Sequence, residues 1–237
     1  MMFRLSLIKF IIPVLLLTGC SRPTTIIDYP PLDWAINGGR LAEMGCKGDL
    51  HQSCPELVAL GCDQLKSPRF YLGGLDPPYP VLECIHESGE PPDQAYFKQV
   101  PGLDARFRSY VIYQDGVFRL LIKQSEFKTA FAPVDSAEES LSYAMAMTSL
   151  EARFDLDPNA DVDYLVRSIE ETHAVETAEG YLVYLFDGSH RMGCDDHPFY
   201  SVIVLVTPEG DVREVERQKI YESYACIDFD VLRLDED

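Results

Sequence analysis

Seven cysteines constrain this 237-residue chain more than any other feature, because thiols decide which segments are covalently closed. Cys20 stands apart, directly after an apolar run. Cys46, Cys54, Cys62, Cys84, Cys194 and Cys226 form an even set of six. In an exported chain such a set reads as disulfides, here up to three, and the competing reading is a metal or redox site. No two of them have the C-x-x-C spacing, which removes the commonest zinc and thioredoxin-like patterns. The balance favours bridges, provided the chain is exported.

The first twenty residues bear on export. Arg4 and Lys9 lie at the front, and Phe10 to Leu17 are apolar except for Pro13. Leu17-Thr18-Gly19-Cys20 then follows. A positive front, an apolar core and small residues before a cut are the parts of an export signal. The run is far short of the ~20 residues that a transmembrane helix needs. The four residues resemble the lipobox of bacterial lipoproteins at every position. That resemblance implies a signal peptide over 1–19, a thioether-linked diacylglycerol on Cys20, and acylation of the new N-terminus. An ordinary secretory signal with an incidental cysteine is the alternative. Two or three acyl chains anchor stably where one would be marginal. Ser21 leans towards the outer membrane in a Gram-negative envelope, because enterobacterial sorting retains an aspartate there at the inner one.

Charge limits the partners. The formal charge of −19 becomes −21 once Arg4 and Lys9 leave with the signal. So acidic a body argues against nucleic acid, which needs clustered Lys and Arg. It also argues against lying flat on anionic lipid. The expected partners are the membrane, through the lipid on Cys20, and an envelope protein. About 218 mature residues suffice for one large domain, or one domain with a small module.

Along the chain, residues 20–33 read as an extended, lipidated tether stiffened by Pro23, Pro30 and Pro31. Residues 34–104 form a Cys-, Pro- and Gly-rich irregular module, with Pro55 to Leu60 briefly helical. Its four cysteines allow three pairings, and spacing does not choose among them. Residues 105–227 are more regular. Asp115-Gly116 between two apolar runs predicts a hairpin. Ser136-Ala-Glu-Glu139 matches a capping box, and Leu141, Ala144, Met145 and Thr148 fall on one helical face. Strands follow at 169–177 and 181–186, and then a last hairpin over 200–207 and 212–221. The fold class expected is α+β, an antiparallel sheet of hairpins with one main helix, preceded by a small disulfide-rich irregular module. Residues 228–237 are an acidic tail. If Val206 pairs with Val212, Cys194 lies opposite Tyr224 and two positions from Cys226, within bridging reach given a bulge or fraying.

Ser189 to His197 is the densest reactive cluster. Cys194 could act as a nucleophile with His190 or His197 as base, or the three could hold a metal, perhaps joined by Asp195; both roles need a free thiolate. The plainer reading is a polar loop with Cys194 bridged. Asp155, Asp157, Asn159 and Asp161 alternate like the start of an EF-hand calcium loop. Ala160 replaces the required glycine and Val166 the bidentate glutamate, so a solvated acidic loop is preferred. Glu138-Glu139 and Glu170-Glu171 read as solvated faces, and Trp34 as a core residue. No nucleophile elbow, Walker A loop, dinucleotide fingerprint or H-E-x-x-H occurs, and no cofactor is implied.

Ser136 to Thr148, a strand–turn–strand and a final Val-Thr-Pro-Glu-Gly-Asp-Val loosely resemble a PepSY-type module. That resemblance covers under half the chain and implies an accessory or binding role. The expectation is a cell-envelope lipoprotein that binds or assembles without catalysis. Its rival is an envelope enzyme or metal-binding factor built on His190, Cys194 and His197.

Overall fold

The computed structural model describes residues 24–30, 57, 59–66, 72–86, 97, 107–154, 156–158, 162–188 and 193–227. In chain order the elements are β1 (Thr25–Ile27), β2 (Gln64–Lys66), a 3-10 turn at Leu72–Gly74, β3 (Val81–His86), β4 (Phe107–Gln114) and β5 (Val117–Leu121). Then come α1 (Gln124–Phe131), α2 (Ala137–Met147), β6 (Asp163–Tyr164), β7 (Ser168–Glu170), β8 (His173–Thr177), β9 (Gly180–Gly188), β10 (Gly193–Val206) and β11 (Val212–Ile227). Antiparallel hairpins dominate, as the period-2 patterns predict, and the class is sheet-rich α+β.

Two antiparallel sheets carry the fold, ordered β2-β3-β4-β5 and β6-β11-β10-β9-β8. The first joins residues 64–86 to residues 107–121 through β3–β4 pairing, so it runs across the boundary expected near residue 104. Asp115 and Gly116 both take positive φ, 52° and 80°, which is the two-residue turn whose twist suits a hairpin. Strand alternation then sorts the side chains. Tyr110 and Ile112 face the central core, while Val111 joins Leu82, Cys84, Cys62, Leu65 and Leu57 in a smaller cluster.

Two helices, rather than one, supply the helical layer among the described residues. Helix α2 starts where expected: Ser136 Oγ accepts the Glu139 N–H at 3.1 Å. The Glu139 carboxylate reaches the Asp135 N–H at 2.9 Å, one residue before the partner of a regular capping box. Helix α1 begins because Glu126 takes the N–H groups of Ile122 and Lys123, at 2.8 and 2.9 Å. Pro133 stands two residues past its end. The central core combines Phe127 and Phe131 of α1, Leu141, Tyr143 and Ala144 of α2, and inward residues of both sheets such as Ile112, Val183, Leu185, Val202 and Val204. Each such side chain contributes ~1.5–3 kcal/mol when fully buried. The burial on α2 is wider than the single face predicted: Ser140 and Ser142 are buried too, and Met145 is only half-buried.

The acidic pairs depart from expectation. Glu139 is 1% exposed and Glu171 2%. Neither belongs to a solvated face: backbone N–H groups donate to Glu139 Oε2 and to both Glu171 oxygens inside the protein, and Glu139 Oε1 is buried without a partner.

Candidate functional site

Strand β11 is two residues longer than β10 over their paired stretch. One register shift falls between Phe199 and Tyr200, the other between Ile203 and Val204. Each adds a residue to β11, so Val206 pairs with Val212 while Cys194 comes to lie directly opposite Cys226. The ladder expected from the turn alone had Tyr224 there; Tyr224 instead faces Asp196. Cys194 is disulfide-bonded. It therefore offers no thiolate, the group that both thiol catalysis and metal ligation at this cluster require. His197 is 1% exposed on β10. His190 lies outside the described residues, as do Cys20, Trp34, Cys46, Cys54, Asp155, Asn159, Asp161 and the tail 228–237. Of the calcium candidates only Asp157 is described, and its carbonyl accepts the Tyr164 hydroxyl at 2.8 Å. Among the described residues no group of three or more His, Cys, Asp or Glu side chains is placed to hold a metal ion.

Cys62 is bridged to Cys84, with Cα atoms 5.3 Å apart. His86 lies beside this bridge, its Nε2 3.4 Å from Cys84 Sγ and 2.8 Å from Ser109 Oγ, and its ring stacks on Phe107. Burial lowers the pKa of His86, against the opposing pull of Asp63 and of the Gly61 carbonyl. A neutral imidazole beside a serine hydroxyl has the connectivity of a base and nucleophile. Ser109, however, is 0% exposed, so no substrate can reach it. The trio braces the small core around the bridge.

A cleft of about 500 Å³ opens between α1, the residues after α2, and the β10–β11 hairpin. Ser125, Lys128, Met147, Leu150, Asp211 and Arg217 are among its walls. Both basic side chains there already face carboxylates: Lys128 pairs with Asp211, and Arg217 with Glu214 and Asp187. The cleft therefore offers shape without an uncompensated charge.

Among the described residues, a connected polar cluster gathers at residues 24–30. Residues 24–30 lie within the stretch 20–33 that reads as an extended tether. Within it, β1 pairs in parallel with β7, setting Thr25, Ile26 and Ile27 against Ser168, Ile169 and Glu170. β-Branched Thr24 to Ile27 suit a strand, and the edge of β7 supplies the backbone partners. Thr24 Oγ1 donates to the Val166 carbonyl at 2.8 Å, and the Thr25 N–H to that of Arg167 at 2.9 Å. The Glu171 N–H donates to the Ile27 carbonyl at 3.1 Å. Beyond the strand, the Tyr29 ring lies flat on His173, centroids 3.6 Å apart at 6°. His173 in turn stacks on Tyr184 at 4.0 Å. The Tyr29 hydroxyl donates to Glu170 Oε2 at 3.2 Å, and its N–H to Glu171 Oε2 at 3.3 Å. The other Glu171 oxygen takes the Leu156 N–H at 2.8 Å. Sequence reasoning missed Tyr29, Glu170, His173 and Tyr184. Their separation along the chain hides them, and only the Thr24–Ile27 run hinted that this segment seeks a partner.

No protein-family model matches the chain, and neither any curated protein nor any solved structure does.

Proposed function

We propose that this protein is a lipoprotein of the bacterial cell envelope, anchored through Cys20, and that its body serves a non-catalytic binding or assembly role with another envelope protein. The observation that carries the reading is Leu17-Thr18-Gly19-Cys20 behind a positive, apolar leader. Oxidised cysteines support it. The Cys62–Cys84 bridge and the bonded Cys194 are what an oxidising compartment produces, whereas a reducing one keeps thiols free. No helix among the described residues is long and apolar enough to cross a membrane, so the lipid is the attachment that this reading requires. The buried Ser109, the bonded Cys194 and the charge-balanced cleft support a binding role over a catalytic one. The faint PepSY-type likeness of 136–212 points the same way.

The test is direct. Intact mass of the exported protein should show cleavage before Cys20 and added acyl groups, with the protein partitioning into detergent. Cys20→Ser should abolish both. Cleavage elsewhere with an unmodified Cys20 would sink the reading. A pull-down from envelope extract with the Cys20→Ser protein would then identify the partner.

A further inference from the structure

Strand β1 runs parallel to β7, and that direction fixes which end of the body meets the anchor. Thr25 lies beside Ser168 at the start of β7, so the chain before it leaves past residues 165–167, the turn that joins β6 to β7. The Val166 carbonyl takes the Thr24 hydroxyl at 2.8 Å, and the Arg167 carbonyl takes the Thr25 N–H at 2.9 Å. Only Ser21, Arg22 and Pro23 then separate Cys20 from docked Thr24, a reach of roughly 14 Å. An antiparallel β1 would have led the same tether to the other end of β7, beside Glu170.

The turn carries side chains that suit a bilayer surface. Val166 packs against the cluster of Ile169, Phe186 and Ile220, while Leu165 and Arg167 on either side of it are exposed. The Leu165 N–H donates to the Ile220 carbonyl at 2.8 Å, which fixes the backbone that presents the leucine. An apolar side chain next to a cation matches the membrane interface, where one enters the acyl boundary and the other meets phosphate. Arg22 adds a second cation within the tether. The nearby carboxylates lie away from the turn: Asp163 is in β6 opposite Glu222, and Asp28 and Glu170 are at the far end of the β1–β7 pair. Anionic headgroups repel the rest of so acidic a body, so attraction is confined to this end.

We propose that the β6–β7 turn, Leu165 to Arg167, is a membrane-contacting tip, held against the phospholipid surface by the docked strand β1 and the short tether to Cys20. Leu165 enters the interface, Arg167 pairs with headgroup phosphate, and the body stands on this end. The orientation rests on the lipid anchor at Cys20; the docking of β1 on β7 does not.

Tryptophan fluorescence of the exported, acylated protein in phospholipid vesicles tests the tip. Leu165→Trp and Val117→Trp put probes at side chains of equal exposure, 56%, one in the turn and one on β5 of the other sheet. The unsubstituted protein supplies the Trp34 background. Vesicles of lipid brominated on its acyl chains should remove roughly half of the Leu165→Trp emission and leave that of Val117→Trp unchanged. Thr25→Pro removes the N–H donated to Arg167, and Tyr29→Ala removes the ring stacked on His173. Added to Leu165→Trp, either should free β1 and restore the emission, and the second serves where the first does not accumulate. Equal quenching at both probes, no quenching at Leu165→Trp, or quenching that survives release of β1 overturns the tip. Intact mass of the same samples separates the claims. Acylated Cys20 with an unquenched Leu165→Trp overturns the orientation alone, whereas unmodified Cys20 overturns the anchor and the orientation with it.

Discussion

Adjacent carboxylates in this chain have opposite fates, and the sequence does not distinguish them. Glu170 faces His173 and partly meets solvent, while Glu171 turns inward onto two backbone N–H groups. Glu139 is sealed at the start of α2, beside exposed Glu138. Burial raises the Glu139 pKa, with Asp135 and Asp76 adding to the rise through their charge. The folded state therefore holds that proton more tightly than the unfolded chain. The associated stability is fully present below the unfolded value and is lost as pH rises through the raised one. Glu139→Gln keeps an acceptor for the Asp135 N–H and removes the ionisation. Thermal melts between about pH 4 and pH 7 should show a shallower decline for the variant than for the wild type. An unchanged slope would place the ionisation cost elsewhere. Gly180 makes a second residue-scale demand. Its φ is 132°, and a Cβ there would sit 2.2 Å from the Val206 carbonyl oxygen. Gly180→Ala should cost roughly 3 kcal/mol in urea unfolding. In a chain with 39 acidic residues, no count of carboxylates could find the buried ones.

At the scale of elements, patterns that close locally were legible and those needing a distant partner were not. The Asp115-Gly116 hairpin and the Ser136 cap lie within a few residues of their own partners, and both form as read. Helix α1 was missed because eight residues are too few for a clear period, and its signal is split. Glu126 caps backwards onto β5's end, and Phe127 and Phe131 aim at a core that the sequence does not display. Phe127 meets Phe97, Tyr110, Phe131 and Tyr143, with ring centroids 4.5 to 5.7 Å away. Phe127→Ala should therefore cost about 3–5 kcal/mol by denaturant melt, since it opens a void shared by α1, α2 and β4. Ser136→Ala, losing one cap bond, should cost only about 1 kcal/mol. Comparable losses at the two sites would mean the aromatic cluster refills the void. A bulge or fraying was anticipated near Cys194, but the number and places of the two bulges in β11 were not legible, because their cause is tertiary. The one opposite Phe199 and Tyr200 lets Ile220 turn into the cluster with Ile169 and Phe186, while the Ile220 carbonyl takes the Leu165 N–H at 2.8 Å.

Across the whole molecule, the two bulges together decide covalent closure. Neither alone brings Cys194 opposite Cys226; with both, the two positions face each other in the ladder. Cys194 is bonded, and Cys226 is the residue paired with it in the ladder. Such a bridge would close the far end of the longest hairpin, as Cys62–Cys84 closes the small cluster of the other sheet over a separation of 22 residues. Each loop is of a size worth about 3–4 kcal/mol in the chain-entropy account. A Cys194–Cys226 bridge would sit in a different sheet from Cys62–Cys84, so the two losses should add. Non-reducing peptide mapping should recover Cys194 joined to Cys226, and Cys62 joined to Cys84. Cys226→Ala should leave Cys194 thiol-reactive and the Cys62–Cys84 bridge intact. The double variant Cys84→Ala/Cys226→Ala should lose the sum of the two single costs in urea unfolding. If Cys226 maps to any other cysteine, the bulged register has not been closed covalently, and the hairpin's far end is held by its ladder alone.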